Sequence, residues 1–127
     1  MGTIAFTFTK IVVADLERAT AFYRSALGLE LISRAGDQEH DEAIMAVPGH
    51  ESGPLLMLMQ YINRPAPPSG SAWIGFAVSD LTATIASVQA GGGTVIAPPQ
   101  NVQEHKLTIA VVADPEGHPV ELTAAMS

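Results

Sequence analysis

The chain has 127 residues, close to the usual size of one domain, with 47% hydrophobic and 15% charged residues. That is enough apolar material for a packed core and too little charge for a disordered chain. There is no cysteine, which excludes disulfide scaffolds, zinc fingers and cysteine nucleophiles. A formal net charge of −7 with six Lys plus Arg rules out the basic footprint of a nucleic-acid binder and suits a cationic ligand better than an anionic polymer.

No apolar run approaches the ~18 residues of a membrane span, and Met1 to Lys10 lacks the pattern of a signal peptide. The expectation is a protein of the cytoplasm with no membrane partner.

Phe6 to Val13 is rich in β-branched and aromatic residues and predicts a strand. Asp15 can cap a helix, and Leu16, Ala19, Phe22, Tyr23, Ala26 and Leu27 recur at helical spacing. Gly28 stands where a helix end favours a left-handed residue. Strands are predicted at Leu29 to Ser33, Ala43 to Val47 and Leu55 to Tyr61, with a polar turn around Gly36 and Asp37. Residues 63 to 71 are dominated by Pro, Gly and Ser and read as a linker.

The order then repeats. Trp73 to Val78 predicts a strand, Asp80 a cap, and Leu81, Ile85 and Val88 a helix that stops at Gly91 to Gly93. Strands follow at Thr94 to Ala97, Leu107 to Ala113 and Pro119 to Thr123, the last two joined by a turn at Asp114 to Gly117. A further strand between Ala97 and Leu107 is expected to be missing or obscured by Pro98 and Pro99.

Asp15 and Asp80 stand 65 positions apart, and the same offset relates Val13 to Val78, Leu16 to Leu81, Ala21 to Ala86 and Gly28 to Gly93. An internal repeat of this kind outranks any single motif. It predicts an α+β fold of two tandem βαβββ modules, residues 1–62 and 72–127, joined by 63–71 within one domain. Each curved sheet would cover one face with its helix. Paired modules would leave a cleft as the default ligand site.

Three segments carry a family resemblance: IVVADLERATAFYRSALGL (Ile11–Leu29), WIGFAVSDL (Trp73–Leu81) and ADPEGHPVEL (Ala113–Leu122). In this order they resemble the vicinal-oxygen-chelate superfamily, which includes glyoxalase I, bleomycin-resistance proteins and ring-cleaving dioxygenases. The resemblance covers nearly the whole chain and implies the fold more strongly than any one activity.

Metal-using members of that family hold a divalent ion with four side chains, usually His and Glu, from the first and last strands of each module. Carried over position by position, these land on Phe8, Trp73, Glu121 and, by the 65-residue offset, Leu56 or its neighbour Met57. Only Glu121 is of the family's ligand type, and a zinc or hard-metal site needs several N or O donors. The expectation is therefore no cofactor. A divalent metal held by Glu121 and His105 is the alternative.

The leading expectation is a small-molecule binding protein with a cleft lined by Phe8, Lys10, Leu56, Met57, Trp73 and Glu121, taking a planar or cationic ligand. The alternative is a glyoxalase-like lyase or isomerase acting on a small carbonyl compound. In that case Glu121 would act as base, since an apolar surrounding suits a carboxylate to accept a proton. A ring-cleaving dioxygenase fits least, because its iron needs two His and a carboxylate on one face. The resemblance also implies a homodimer.

Overall fold

The computed structural model describes residues 2–126. Its contacts divide into two compact units, one extending through Arg24 and from Gly28 to Pro67, the other formed by Ser25–Leu27 and the residues from Pro68 onward.

In the first unit, β1 (Phe8–Val12), β2 (Glu30–Gly36), β3 (His40–Ala46) and β4 (Leu55–Tyr61) form a sheet in the order β1-β4-β3-β2. Strand β1 runs parallel to β4, and the other neighbours are antiparallel. Helix α1 (Leu16–Leu27) starts at Asp15, whose carboxylate accepts from the Arg18 N–H at 3.1 Å. Glu17 in the first turn and Arg24 in the last both complement the helix dipole. The helix ends on Gly28 at φ 70°, where a side chain would be strained, and the Leu29 N–H reaches back to the Tyr23 carbonyl.

The helix is tied to its sheet at two points. The Leu16 N–H, left without a helical partner, donates to Gln60 Oε1 on β4 at 2.7 Å, and Arg34 on β2 pairs with Glu17 at 2.9 Å. Strand alternation then sorts the sheet into two faces. Ile11, Val13, Ala43, Met45, Leu56 and Leu58 are buried on the helix side. Phe8, Lys10, Met57, Met59 and Tyr61 stand on the other, open side.

The second unit repeats this plan with β5 (Ile74–Ala77), α2 (Leu81–Ala90), β6 (Thr94–Val102), β7 (Leu107–Ala113) and β8 (Pro119–Ala125), in the order β5-β8-β7-β6. Asp80 caps α2 by accepting from the Ala83 N–H at 3.0 Å. Leu81 and Val88 of the helix are buried, as are Ala110, Val112, Val120 and Leu122 of the strands. The fold is α+β, with two four-stranded sheets of βαβββ order, as the repeat predicts.

Three expectations change. No strand is missing after Ala97, because β6 runs on through Pro98 and Pro99 to Val102. It lies at the sheet edge, where proline costs no ladder bond, and its register to β7 shifts around the two prolines. The strand predicted from Ala43 to Val47 starts earlier, with β3 running from His40 to Ala46.

The third change is in the repeat itself. The Gly93 N–H bonds to the Val88 carbonyl as Leu29 bonds to Tyr23, with Gly92 at φ 96° in the place of Gly28. The second helix is thus one residue shorter at its end. Gly28 corresponds to Gly92, and everything up to the next hairpin is displaced by one. The bulges agree, falling at Ile32 in β2 and Ile96 in β6.

Candidate functional site

The displaced repeat decides which residues share the open faces. Lys10 pairs with Met57 across β1 and β4, and Gly75 pairs with Glu121 across β5 and β8. Since Lys10 and Gly75 correspond, Met57 is the counterpart of Glu121. Leu56 is the counterpart of Val120, and both are buried on the helix side, Leu56 at 6% exposure. Leu56 therefore drops out of the expected lining, and Met57 takes the position.

Phe8, Lys10 and Met57 do lie together on the open face of the first sheet. Phe8 is 46% exposed. Lys10 sends its ammonium to Glu42 Oε2 on β3 at 2.7 Å and also lies 5.8 Å from the Phe8 ring centroid. The pair is a charged island among apolar neighbours, with Met59 opposite Glu42 and Ile44 opposite Met57. Lys10, expected to line the cleft, is thus half of an ion pair. Glu42 was absent from the sequence reading, although its alternation with Ile44 was the signal that could have found it.

On the second sheet Glu121 lies between Gly75 of β5 and Val111 of β7. Gly75 has no side chain to crowd the carboxylate, and Val111 supplies an apolar flank. Glu121 is half-buried and makes no hydrogen bond or ion pair among the described residues. Trp73, just before β5, is 60% exposed.

His105 does not join this group. It closes a single 3-10 turn, Gln103–His105, at the tip of the β6–β7 hairpin. Val111, the partner of Glu121, lies four residues beyond the start of β7, roughly 13 Å along the strand. His118 is buried beside the last turn, its Nε2 3.8 Å from Glu116. That turn is built by Asp114, whose Oδ1 accepts from the N–H groups of Glu116 and His118. The arrangement shapes the entry to β8.

The open face of the first sheet ends in a polar corner that sequence reading missed. Glu39, His40, Tyr61, Asn63 and Arg64 line a small pocket there. The Asp37 carboxylate accepts from the N–H groups of Glu39 and His40, both at 2.8 Å, and faces His40 Nδ1 at 3.0 Å. The Glu39 N–H, then the His40 side chain and N–H, hold the Asp37 carboxyl below the usual carboxylate range.

Residues 4–122 match the family described as the Glyoxalase/Bleomycin resistance protein/Dioxygenase superfamily. Among curated relatives, a lactoylglutathione lyase of Haemophilus influenzae is 28% identical over 118 residues, covering 89% of this chain and 87% of its own. A protein of Arabidopsis thaliana named "Probable lactoylglutathione lyase, chloroplastic" is 29% identical over 115 residues, covering 87% of this chain. This chain spans only 33% of that relative's length. A glyoxalase family protein of Bacillus cereus shares the fold at a TM-score of 0.84 and 17% identity, covering 100% of this chain and 97% of its own.

These relatives correct the expectation of no cofactor, since lactoylglutathione lyases are metal-dependent. The residues at the corresponding positions here are Phe8, Met57, Trp73 and Glu121, one carboxylate in all. Among the described residues no three of His, Asp and Glu stand close enough to hold an ion. The donor set of this chain does not fit the family's, so the chemistry of Glu121 is derived from its carboxylate alone. Fold, repeat and sequence match agree: the chain belongs to the glyoxalase/bleomycin resistance protein/dioxygenase superfamily.

Proposed function

We propose that the chain is a glyoxalase-type lyase or isomerase acting on a small carbonyl compound, with Glu121 as its base. One observation carries the reading: an unpaired, half-buried carboxylate on the open face of the second sheet, beside a glycine and a valine. Such a group is short of solvent and free of protein donors, so a substrate proton is its natural partner. The relatives named lactoylglutathione lyase favour this reading over binding without turnover.

The chemistry balances without an oxidant. Glu121 takes the proton from a carbon that bears a hydroxyl and adjoins a carbonyl. The electron pair moves onto the carbonyl oxygen to give an enediolate. Glu121 returns the proton to the neighbouring carbon and the hydroxyl proton passes from the first oxygen to the second, so that the first carbon becomes the carbonyl, the second bears the hydroxyl, and the carboxylate is regenerated. Trp73, exposed just before β5, offers a flat apolar surface on the same unit as Glu121, and Phe8 offers another on the first unit.

The test is lactoylglutathione formation from methylglyoxal and glutathione, followed as the thioester appears. Removing a general base costs about 10²–10⁴ in rate. Glu121→Gln should lose that much in kcat while keeping the wild-type melting temperature. Turnover unchanged by the substitution would sink the assignment. We further propose that the protein is a cytoplasmic homodimer. Ile4, Phe6 and Trp73, at 99%, 74% and 60% exposed, are apolar surface that a second copy would cover. Sedimentation equilibrium giving a single species of monomer mass would refute the dimer. No described helix is long and apolar enough to cross a membrane.

A further inference from the structure

Glu121 has a polar companion on its own strand. Strand alternation puts Val120 and Leu122 on the helix side of β8, both fully buried, and leaves Glu121 and Thr123 on the open side, about 7 Å apart along the strand. Across the two ladders Glu121 is flanked by Gly75 and Val111, and Thr123 by Ala77 and Ile109. Of these six residues Thr123 alone carries a side-chain hydrogen-bond donor. Gly75 and Ala77 are small and exposed, so the β5 side of the pair is low, while Val111 and Ile109 form a taller aliphatic flank.

The fold makes no use of the Thr123 hydroxyl. Thr20 and Thr84 donate to helix carbonyls at 2.7 and 2.8 Å, and Thr108 donates to Asn101 Oδ1 at 2.7 Å. Thr123 is half-buried and forms no side-chain hydrogen bond among the described residues. Thr9 is half-buried and unbonded as well, but it shares its strand parity with buried Ile11 and so lies on the helix side of the first sheet. The Thr123 backbone is well held, since its carbonyl accepts from the Val78 N–H at 2.8 Å and extends the β5–β8 ladder past Ala77. A β-branched side chain on such a strand is stiff at χ1, which limits the directions open to the hydroxyl.

Charge on this unit points the same way. From Pro68 onward the one Lys or Arg is Lys106, which caps the turn at the tip of the β6–β7 hairpin. It precedes Leu107, the partner of Ala125, and so stands at least about 13 Å along the strands from Glu121. When a carboxylate on this face draws a proton from carbon, the neutral hydroxyl of Thr123 is the donor beside it for the negative charge that gathers on the carbonyl oxygen.

We propose that Thr123 is a second catalytic residue of the isomerisation, its O–H donating to the substrate carbonyl oxygen while Glu121 takes the proton from the adjoining carbon. The assignment rests on Glu121 as the base. A carbon about 3 Å from the carboxylate, bonded to a carbonyl whose oxygen is about 2.8 Å from the hydroxyl, fills the gap between the two side chains. The threonine keeps its proton, and its hydrogen bond strengthens as charge builds on the oxygen, so it favours the transition state over the bound substrate.

The test is the thioester assay run on the wild-type protein, Thr123→Val, Thr123→Ser and Glu121→Gln. Valine keeps the shape of threonine and removes a hydroxyl with no protein partner, so the melting temperature should hold. Thr123→Val should lower kcat about 10²-fold with little change in KM, and Thr123→Ser should recover most of the loss. The rising limb of the kcat/KM pH profile belongs to the base and should stand at the same pH in the wild-type protein and Thr123→Val. Turnover lost in Glu121→Gln but unchanged in Thr123→Val would overturn the role of the hydroxyl and leave the base standing. A loss confined to KM, or a serine variant as slow as the valine variant, would overturn it too. A wild-type protein without turnover would overturn both assignments together.

Discussion

Replacing Leu56 by Ala and, separately, Met57 by Ala tests the register on which the site depends. The two residues are neighbours of similar size on β4, so composition alone predicts similar costs. The structure predicts very different ones. Leu56 is 6% exposed on the helix side of the sheet, next to Leu58 at 0% on the same face. Truncating a leucine there loses its transfer free energy and leaves a cavity, together about 2–5 kcal/mol. That is a large share of the roughly 5–15 kcal/mol that holds a domain together. Met57 is half-exposed on the open face, and its truncation should cost about 1 kcal/mol or less. In urea unfolding, with a slope on the order of 2 kcal/mol per molar, the leucine variant should lose about 1–2.5 M of midpoint and the methionine variant about 0.5 M or less. Measuring both at several protein concentrations separates any contribution of self-association at the open face. Equal losses, or a larger loss for Met57→Ala, would mean that β4 is one residue out of step with the pairing described here. Met57 would then no longer be the counterpart of Glu121.

Two further outcomes follow from the caps and the acidic turn. Asp80→Ala removes the oxygen that accepts from the Ala83 N–H and should cost about 1 kcal/mol, whereas Asp80→Asn, which keeps an acceptor, should cost a few tenths. Thermal unfolding that ranks the two the other way would show that the cap does not act through this bond. The Asp37 carboxyl, depressed by the N–H of Glu39 and by His40, should titrate below an unfolded-chain aspartate when followed by carbon resonance. A folded pKa below the unfolded one gives stability that is complete above the unfolded value and lost as pH falls through the folded value. Asp37→Asn should therefore remove part of the acid sensitivity and leave stability near neutral pH less dependent on this turn. A carboxyl titrating at or above the ordinary value would contradict the turn geometry.

Much of the fold was legible because its signals are local. Asp15 and Asp80 announce helix starts through a side-chain oxygen three residues from the N–H it accepts, and both do so in the structure. The order of elements followed from repeating that unit. Pro98 and Pro99 obscured β6 because a proline pair argues against a strand only when the strand is interior. Whether a strand lies at an edge is a property of the sheet and not of the segment.

The candidate site was half legible, for a physical reason. A helix end tolerates the loss of one residue, because the left-handed glycine and its return bond can form one position earlier, as Gly92 and Gly93 show. A strand tolerates no such shift, since a single step moves every side chain to the opposite face. The deletion at the end of α2 is silent where it occurs, and the hairpins that follow change the offset again, since strand pairing makes Glu42 the counterpart of Ile109. An offset fixed on the capping aspartates assigns Leu56 to Glu121, and strand pairing assigns Met57. The same principle hid the corner at Arg64. Its guanidinium lies in a proline-rich stretch with no periodicity to read, and His40 joins Tyr61 beside it only through the β3–β4 ladder. Residues whose partners are fixed by a cap or a turn can be read from the chain. Residues whose partners are fixed by register cannot, and in this protein the open faces are built almost wholly from the second kind.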